Sequence, residues 1–194
     1  MKHKIWVSLF ILLFSTFNQL FSSHAGGKII DNDLYTFTVP ETWEPYNQRG
    51  GYIPFKRTSG PFNLQYLTWT TPIRSIDDIP TTILLFMDSY EKKDKSPITI
   101  QDIIDFELQM ESNNKLLSTK RTKISNKMEQ ITYKYEAFES GKKIIYCKIN
   151  QYVLNQRMVH SLRFSLQEDV YNKRETQRVI EMIRKSFKVH SQAK

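Results

Sequence analysis

Hydrophobic and polar positions alternate most regularly in the last third of the chain. Ile131, Tyr133, Tyr135 and Ala137 take turns with Gln130, Thr132, Lys134 and Glu136. Ile145, Cys147, Ile149 and Val153 alternate with Tyr146, Lys148, Asn150 and Tyr152. Met158, His160, Leu162, Phe164 and Leu166 do the same with Val159, Ser161, Arg163 and Ser165. A period of two sends successive side chains to opposite faces of a strand. Ser140-Gly141 and Asn155-Gln156 supply turn residues between these runs. The pattern predicts a three-stranded antiparallel meander, preceded by a more polar strand over Leu116 to Ile124. After it, Val179, Ile180, Ile183 and Phe187 recur at helical spacing within Glu168 to Phe187, which predicts a closing helix packed on a face of the sheet.

The first half is more mixed. Leu34 to Val39 alternates and reads as a strand ended by Pro40, with Trp43 in the turn that follows and covering one end of the sheet. Gly50-Gly51 and Ser59-Gly60-Pro61 mark turns, with short strands over Tyr52 to Lys56 and Phe62 to Trp69. Between them and the meander the spacing predicts two helices. In the first, Asp77 and Asp78 precede a Pro80 at a tolerated first-turn position. Ile79, Ile83, Phe86, Met87 and Tyr90 form its stripe, and Lys92, Lys93 and Lys95 close it. The second begins with a Thr99/Asp102 capping pair and continues through Ile100, Ile103, Ile104, Leu108 and Met110 to Asn113-Asn114. No repeat or low-complexity tract divides the chain.

Residues 1–25 fit a secretory signal peptide. Lys2, His3 and Lys4 make a basic front, Ile5 to Phe14 an apolar stretch, and Ser23-His24-Ala25 a small-x-small cleavage pattern, with cutting expected after Ala25. The apolar run is about ten residues, too short for the roughly twenty of a spanning helix. Residues 26–194 then form a single α+β domain. No Cys stands at the cleavage site, which excludes a bacterial lipoprotein anchor.

The chain of 194 residues has a net charge of +8, and removal of residues 1–25 takes Lys2 and Lys4 and no acid, leaving +6. That excess suits weak attraction to an anionic membrane surface. Export argues against a nucleic-acid partner. One Cys excludes an intrachain disulfide framework and a multi-Cys zinc site.

Three stretches together resemble the Mog1/PsbP-like superfamily. Tyr35-Thr36-Phe37-Thr38-Val39-Pro40-Glu41-Thr42-Trp43 looks like that group's opening strand and Pro-x-x-Trp. The meander from Met128 to Leu166 looks like its central sheet. Val179-Ile180-Glu181-Met182-Ile183-Arg184-Lys185-Ser186-Phe187 looks like its closing helix. The resemblance implies a twisted antiparallel sheet packed between helices, an α/β/α sandwich. It also implies non-enzymatic work as a small accessory, assembly or binding protein. Photosynthetic members are linked to metal ions, but no matching ion-binding motif occurs in this chain. The eukaryotic member binds a small GTPase in the nucleus, a role that an export signal does not suit.

Motifs for chemistry are absent. There is no Gly-x-Ser-x-Gly elbow, no His-Glu-x-x-His helix and no phosphate-binding Gly loop. No catalytic residue, metal ligand or cofactor is assigned. Cys147 and His160 could pair as nucleophile and base, yet both fall on apolar strand faces, where a buried Cys is inert. Asp102, Asp105, Glu107 and Glu111 read as the solvated side of the second helix. The aromatic segment around Pro45 and Pro54 offers Tyr46, Arg49, Tyr52 and Phe55 as a partner-binding surface.

The sequence therefore reads as an exported, non-catalytic accessory or binding protein of the cell envelope, periplasmic or secreted, acting on another envelope protein. Two alternatives stay open. One is an enzyme with a scattered site, which a cleft with convergent perturbed acids would favour. The other is a peripheral protein on an anionic membrane.

Overall fold

The computed structural model describes residues 27–45, 55–71, 75–76, 79–80, 82–111, 114–139 and 141–190. The expected signal segment, residues 1–25, lies outside them. The chain opens with β1 (Gly27–Asp31), β2 (Tyr35–Pro40), β3 (Glu44–Pro45), β4 (Phe55–Ser59) and β5 (Phe62–Thr70). β6 (Ser75–Ile76), β7 (Ile79–Pro80), β8 (Leu84–Lys92) and helix α1 (Ile100–Met110) follow. The second half holds β9 (Lys115–Ser125), β10 (Met128–Glu139), β11 (Lys142–Asn155), β12 (Met158–Gln167), α2 (Glu168–Tyr171), α3 (Arg174–Ser186) and β13 (Lys188–Val189).

The expected meander is present. β10, β11 and β12 pair antiparallel in sequence order, with Ile131 opposite Asn150 and Val153 opposite His160. The large sheet runs β3-β5-β8-β12-β11-β10-β9, with β4 also on β5. A small sheet, β1-β2-β13, lies with α3 over one face of it. Ile30, Phe37, Val39, Ile180, Ile183 and Phe187 pack there against residues such as Leu67, Met87 and Leu162. Trp43 is buried in the same core. Helix α1 covers the other face, where Ile103 and Ile104 meet Tyr90, Ile131, Tyr133, Tyr152 and Val159. The architecture is α+β, an antiparallel sheet between helices, as the resemblance implied.

One predicted helix is a strand. Leu84 to Lys92 pairs with β5 on one side, Trp69 opposite Leu85, and with β12 on the other, Leu162 opposite Met87. Both of its faces are covered, so apolar residues occur at odd and even positions and the period of two disappears. A short unbroken apolar run cannot be told from a buried helix by periodicity. The closing helix is also interrupted: α2 stops at Tyr171, Asn172 and Lys173 bridge, and α3 resumes at Arg174.

The start of α1 agrees in detail with its sequence. The Asp102 backbone N–H donates to Thr99 Oγ1 over 3.1 Å, and the Thr99 N–H donates to Asp102 Oδ2 over 2.7 Å. Asp replaces the usual Glu or Gln of the capping box. The turn between β4 and β5 fixes the helix from the other side. Gly60 has φ +53°, and a Cβ there would fall 2.8 Å from Phe106 Cε2, so the missing side chain lets the ring of α1 sit against the turn.

Candidate functional site

Side chains from three neighbouring strands converge under α1. Alternation puts Asp88 and Tyr90 of β8, Arg163 of β12, and Asn150 and Tyr152 of β11 on the helix-facing side. Asn150 lies directly opposite Arg163, and Asp88 opposite Ser161, one diagonal step from Arg163. From above, α1 points Glu107 into this group, and its residue is only 7% exposed. Tyr90 donates to Glu107 Oε1 over 2.9 Å. Tyr152 and Asn150 Nδ2 donate to Oε2 over 2.5 and 3.1 Å. Arg163 Nε stands 3.5 Å from Glu107 Oε1, while its Nη2 reaches Asp88 Oδ2 at 2.6 Å.

A carboxylate removed from water is costly unless it is paired and its lone pairs are filled. Burial pushes the Glu107 carboxyl above the usual carboxylate range, with the Arg163 charge and the Tyr152 hydroxyl acting against that rise. The same two carboxylates hold the Arg163 guanidinium firmly charged despite its burial. Glu107 thus corrects the sequence reading, which placed it on the solvated side of the helix. Position 107 is one turn beyond Ile103 and Ile104 and shares their inward face. Asp102 and Asp105 do face outward, in the cap and in a 2.7 Å hydrogen bond from Gln101. Glu111 pairs with Lys148 at the rim.

Beside this network lies a cavity of about 320 Å³ between α1 and the sheet. Its lining mixes apolar Leu64, Phe86, Phe106 and Met110 with charged Arg57, Glu107, Lys148 and Arg163. A perturbed acid in a cleft is what an enzyme would need. Both oxygens of Glu107, however, are occupied by donors, which suits positioning more than proton transfer. A larger open hollow of about 630 Å³ runs along α3, lined by Arg174, Arg178, Arg184 and Lys185 together with Glu181, which pairs with the last two.

The far edge of the large sheet is different. Among the described residues β9 pairs with β10 alone, and every one of its own residues is exposed. Leu116, Leu117 and Ile124 are exposed on it, and Phe138 of the neighbouring β10 is 73% exposed. Arg121 is held by Glu129 at 2.7 Å and by Gln101 at 2.8 Å.

Of the proposed partner surface, Tyr46, Arg49 and Tyr52 lie outside the described residues. The backbone of Phe55 begins β4 opposite Tyr66, and its side chain is outside the description. Cys147 and His160 do not meet as nucleophile and base: Cys147 is opposite Leu166, and His160 opposite Val153, six residues further along β11. Burial pushes the Cys147 thiol up to about 11 and His160 down to about 4. His160 Nδ1 is 2.8 Å from Ser89 Oγ. Among the described residues no three His, Cys, Asp or Glu side chains gather as a metal site, and no helix is long and apolar enough to cross a membrane.

The fold and the cavity together define an α+β protein with one antiparallel sheet between helices and a polar cluster under its central helix. No family model matches the chain, and no curated protein does. Several solved structures are similar. LpqN of Mycobacterium tuberculosis, described as involved in cell envelope biogenesis, is 11% identical with a TM-score of 0.49, over 86% of this chain and 87% of that one. A protein of Bacteroides thetaiotaomicron is 13% identical with a TM-score of 0.47, over 86% of this chain. That match spans only 49% of the Bacteroides chain. PsbP (CyanoP) of Synechocystis sp. PCC 6803 is 14% identical with a TM-score of 0.45, over 87% of this chain and 95% of that one. The likeness is one of element arrangement.

Proposed function

We propose that this chain is an exported, non-catalytic accessory protein of the cell envelope that docks an extended segment of another protein along β9. The observation that carries the reading is the uncovered edge: eleven consecutive strand residues exposed at the end of the large sheet. Such an edge presents unpaired backbone groups that an added strand can use. Lys115, Lys120, Arg121 and Lys123 lie on it with no acidic residue between Lys115 and Ser125. A second copy of β9 would set like charges against each other, so the edge suits an acidic partner segment. Export rests on the signal-like pattern of residues 1–25.

Crosslinking and mass spectrometry on the native envelope test it. The expected result is crosslinks from Lys115, Lys120 and Lys123 to an acidic stretch of one partner, with the Lys115 crosslink lost in the double variant Lys120→Glu, Lys123→Glu. The folding stability of that variant should stay within about 1 kcal/mol of wild type, since both side chains are exposed. Reproducible crosslinks that leave β9 untouched would refute the docking site.

A second reading, peripheral attachment to an anionic membrane, is favoured by Arg174 and Arg178 at the hollow along α3. Co-sedimentation with anionic vesicles that falls with salt and is lost in Arg174→Glu, Arg178→Glu would support it in place of the first.

A further inference from the structure

We infer that the partner segment docked along β9 carries two acidic residues three positions apart between two aliphatic ones. The inference rests on the docking edge proposed above and specifies the sequence that this edge takes.

The register of β9 on β10 sets the length of the site. Ser118 to Lys123 run opposite Lys134 to Glu129 without a break. The register slips by one residue at each end of that run, which leaves Leu117 and Ile124 without a partner on β10. An extra residue of this kind bends its strand and interrupts the ladder. The regular part of the edge is therefore Ser118 to Lys123, about 20 Å long at roughly 3.3 Å per residue.

The cations on this stretch are not equivalent. Arg121 is already bound, by both oxygens of Glu129 and by Gln101 of α1. Lys120 and Lys123 are exposed and hold no ion pair among the described residues. Glu129, the acid opposite Lys123, is the one that Arg121 occupies. Strand residues three apart face opposite sides of a sheet. Lys123 shares the α1 side with Arg121, and Lys120 is on the α3 side. An added strand thus meets one unpaired ammonium on each of its faces, and two carboxylates three positions apart match them.

Apolar side chains stand just outside this pair. Leu117 is 41% exposed and Ile124 49%. A partner with an aliphatic residue at each of these positions shields both from water. The complement is aliphatic-x-x-acid-x-x-acid-aliphatic for a parallel strand, and the reverse order for an antiparallel one. A flexible polyanion would satisfy the lysines and leave Leu117 and Ile124 wet.

Synthetic octapeptides, titrated into the purified protein and followed by amide NMR, test this. The probes are VTTETTEV for the parallel order and VETTETTV for the antiparallel one. At least one should bind saturably in the millimolar range or tighter, with shifts centred on Ser118 to Lys123. Replacing both of its glutamates by glutamine should weaken it about fivefold at low salt, and the gap should close in about 0.5 M salt, because exposed ion pairs are weak and screened. Replacing both valines by threonine should weaken it about threefold. That second difference should vanish in the protein variant Leu117→Thr, Ile124→Thr, whose circular dichroism should be unchanged since both positions are exposed. Glutamate and glutamine peptides binding equally, or valine and threonine ends binding equally, would overturn the inference. So would shifts centred away from β9, or no saturable binding by either order. The docking edge is judged separately: envelope crosslinks to β9 from a partner without this pattern refute the inference and keep the edge, whereas crosslinks that leave β9 untouched remove both.

Discussion

Arg163 and Asp88 sit on adjacent strands with Nη2 2.6 Å and Nε 2.8 Å from one carboxylate oxygen, a two-pronged contact buried beneath α1. Truncating one side of a buried ion pair costs about 3–5 kcal/mol, because the partner charge is left without compensation. Arg163→Met should be destabilised by that amount at neutral pH, as two carboxylates, Asp88 and Glu107, lose their cation. Urea melts check it. The deficit should shrink in acid, where protonation removes the stranded charges. A deficit under about 1 kcal/mol at pH 7 would mean that water already reaches the pair.

Glu107 sets a second pH dependence. Its folded-state carboxyl is raised by burial, so the native state holds the proton more tightly than the unfolded chain does. Its contribution to stability is full below the ordinary carboxylate value of about 4.3 and is lost as pH rises through the raised value. Glu107→Gln removes that titration. Wild-type stability relative to Glu107→Gln should therefore fall as pH rises from about 4. A difference that stays flat would place the carboxyl in water.

The turn at Gly60 gives a purely steric prediction. Alanine there carries left-handed backbone strain and meets Phe106 at 2.8 Å, whereas at Gly141, with φ +75°, an added Cβ would have nothing within 4 Å of it. Gly141→Ala should cost only the strain, about 1 kcal/mol, and Gly60→Ala about 2–3 kcal/mol. Thermal melts of the two variants check the order. Equal losses would show that the Phe106 ring moves aside freely.

These positions also show how far the sequence carried. β10, β11 and β12 were legible because each has faces of different character, so the period of two survived. Thr99 and Asp102 were legible because capping is local chemistry between residues three apart. β8 was not, since Leu85 and Met87 face the α3 core while Phe86 and Tyr90 face α1. Its identity as a strand rests on β5 and β12, neighbours distant in sequence. Glu107 was missed for a related reason. A Glu on an amphipathic helix reads as solvated, and the groups that bury it, Tyr90, Asn150, Tyr152 and Arg163, come from strands far off in the chain. Tyr90 is 17 residues away and Tyr152 is 45. One signal was available: four of the five α1-facing positions of the β11 and β12 centres, Asn150, Tyr152, Ser161 and Arg163 alongside Val159, are polar or carry a polar group. A helix packed over them needs at least one polar residue of its own.

His160 shows how the opposite face answers acid. It is buried beside Ser89 and edge-on to the Tyr35 ring, with ring centroids 6.4 Å apart. Burial alone holds its imidazole down, at about 4 against an ordinary value of 6.5. The unfolded chain takes up the proton first as pH falls. The neutral imidazole therefore contributes stability that is fully present above about pH 6.5 and is lost as pH falls through about 4. The loss is on the order of 3 kcal/mol. It runs opposite in sign to the Glu107 effect and over a higher starting pH, so the two separate in a stability profile taken from pH 7.5 to 4. An NMR titration of the imidazole ring should find His160 neutral at pH 5.5. A midpoint near 6.5 would show that water enters between β2 and β12, and would remove the tight seam that joins the small sheet to the large one.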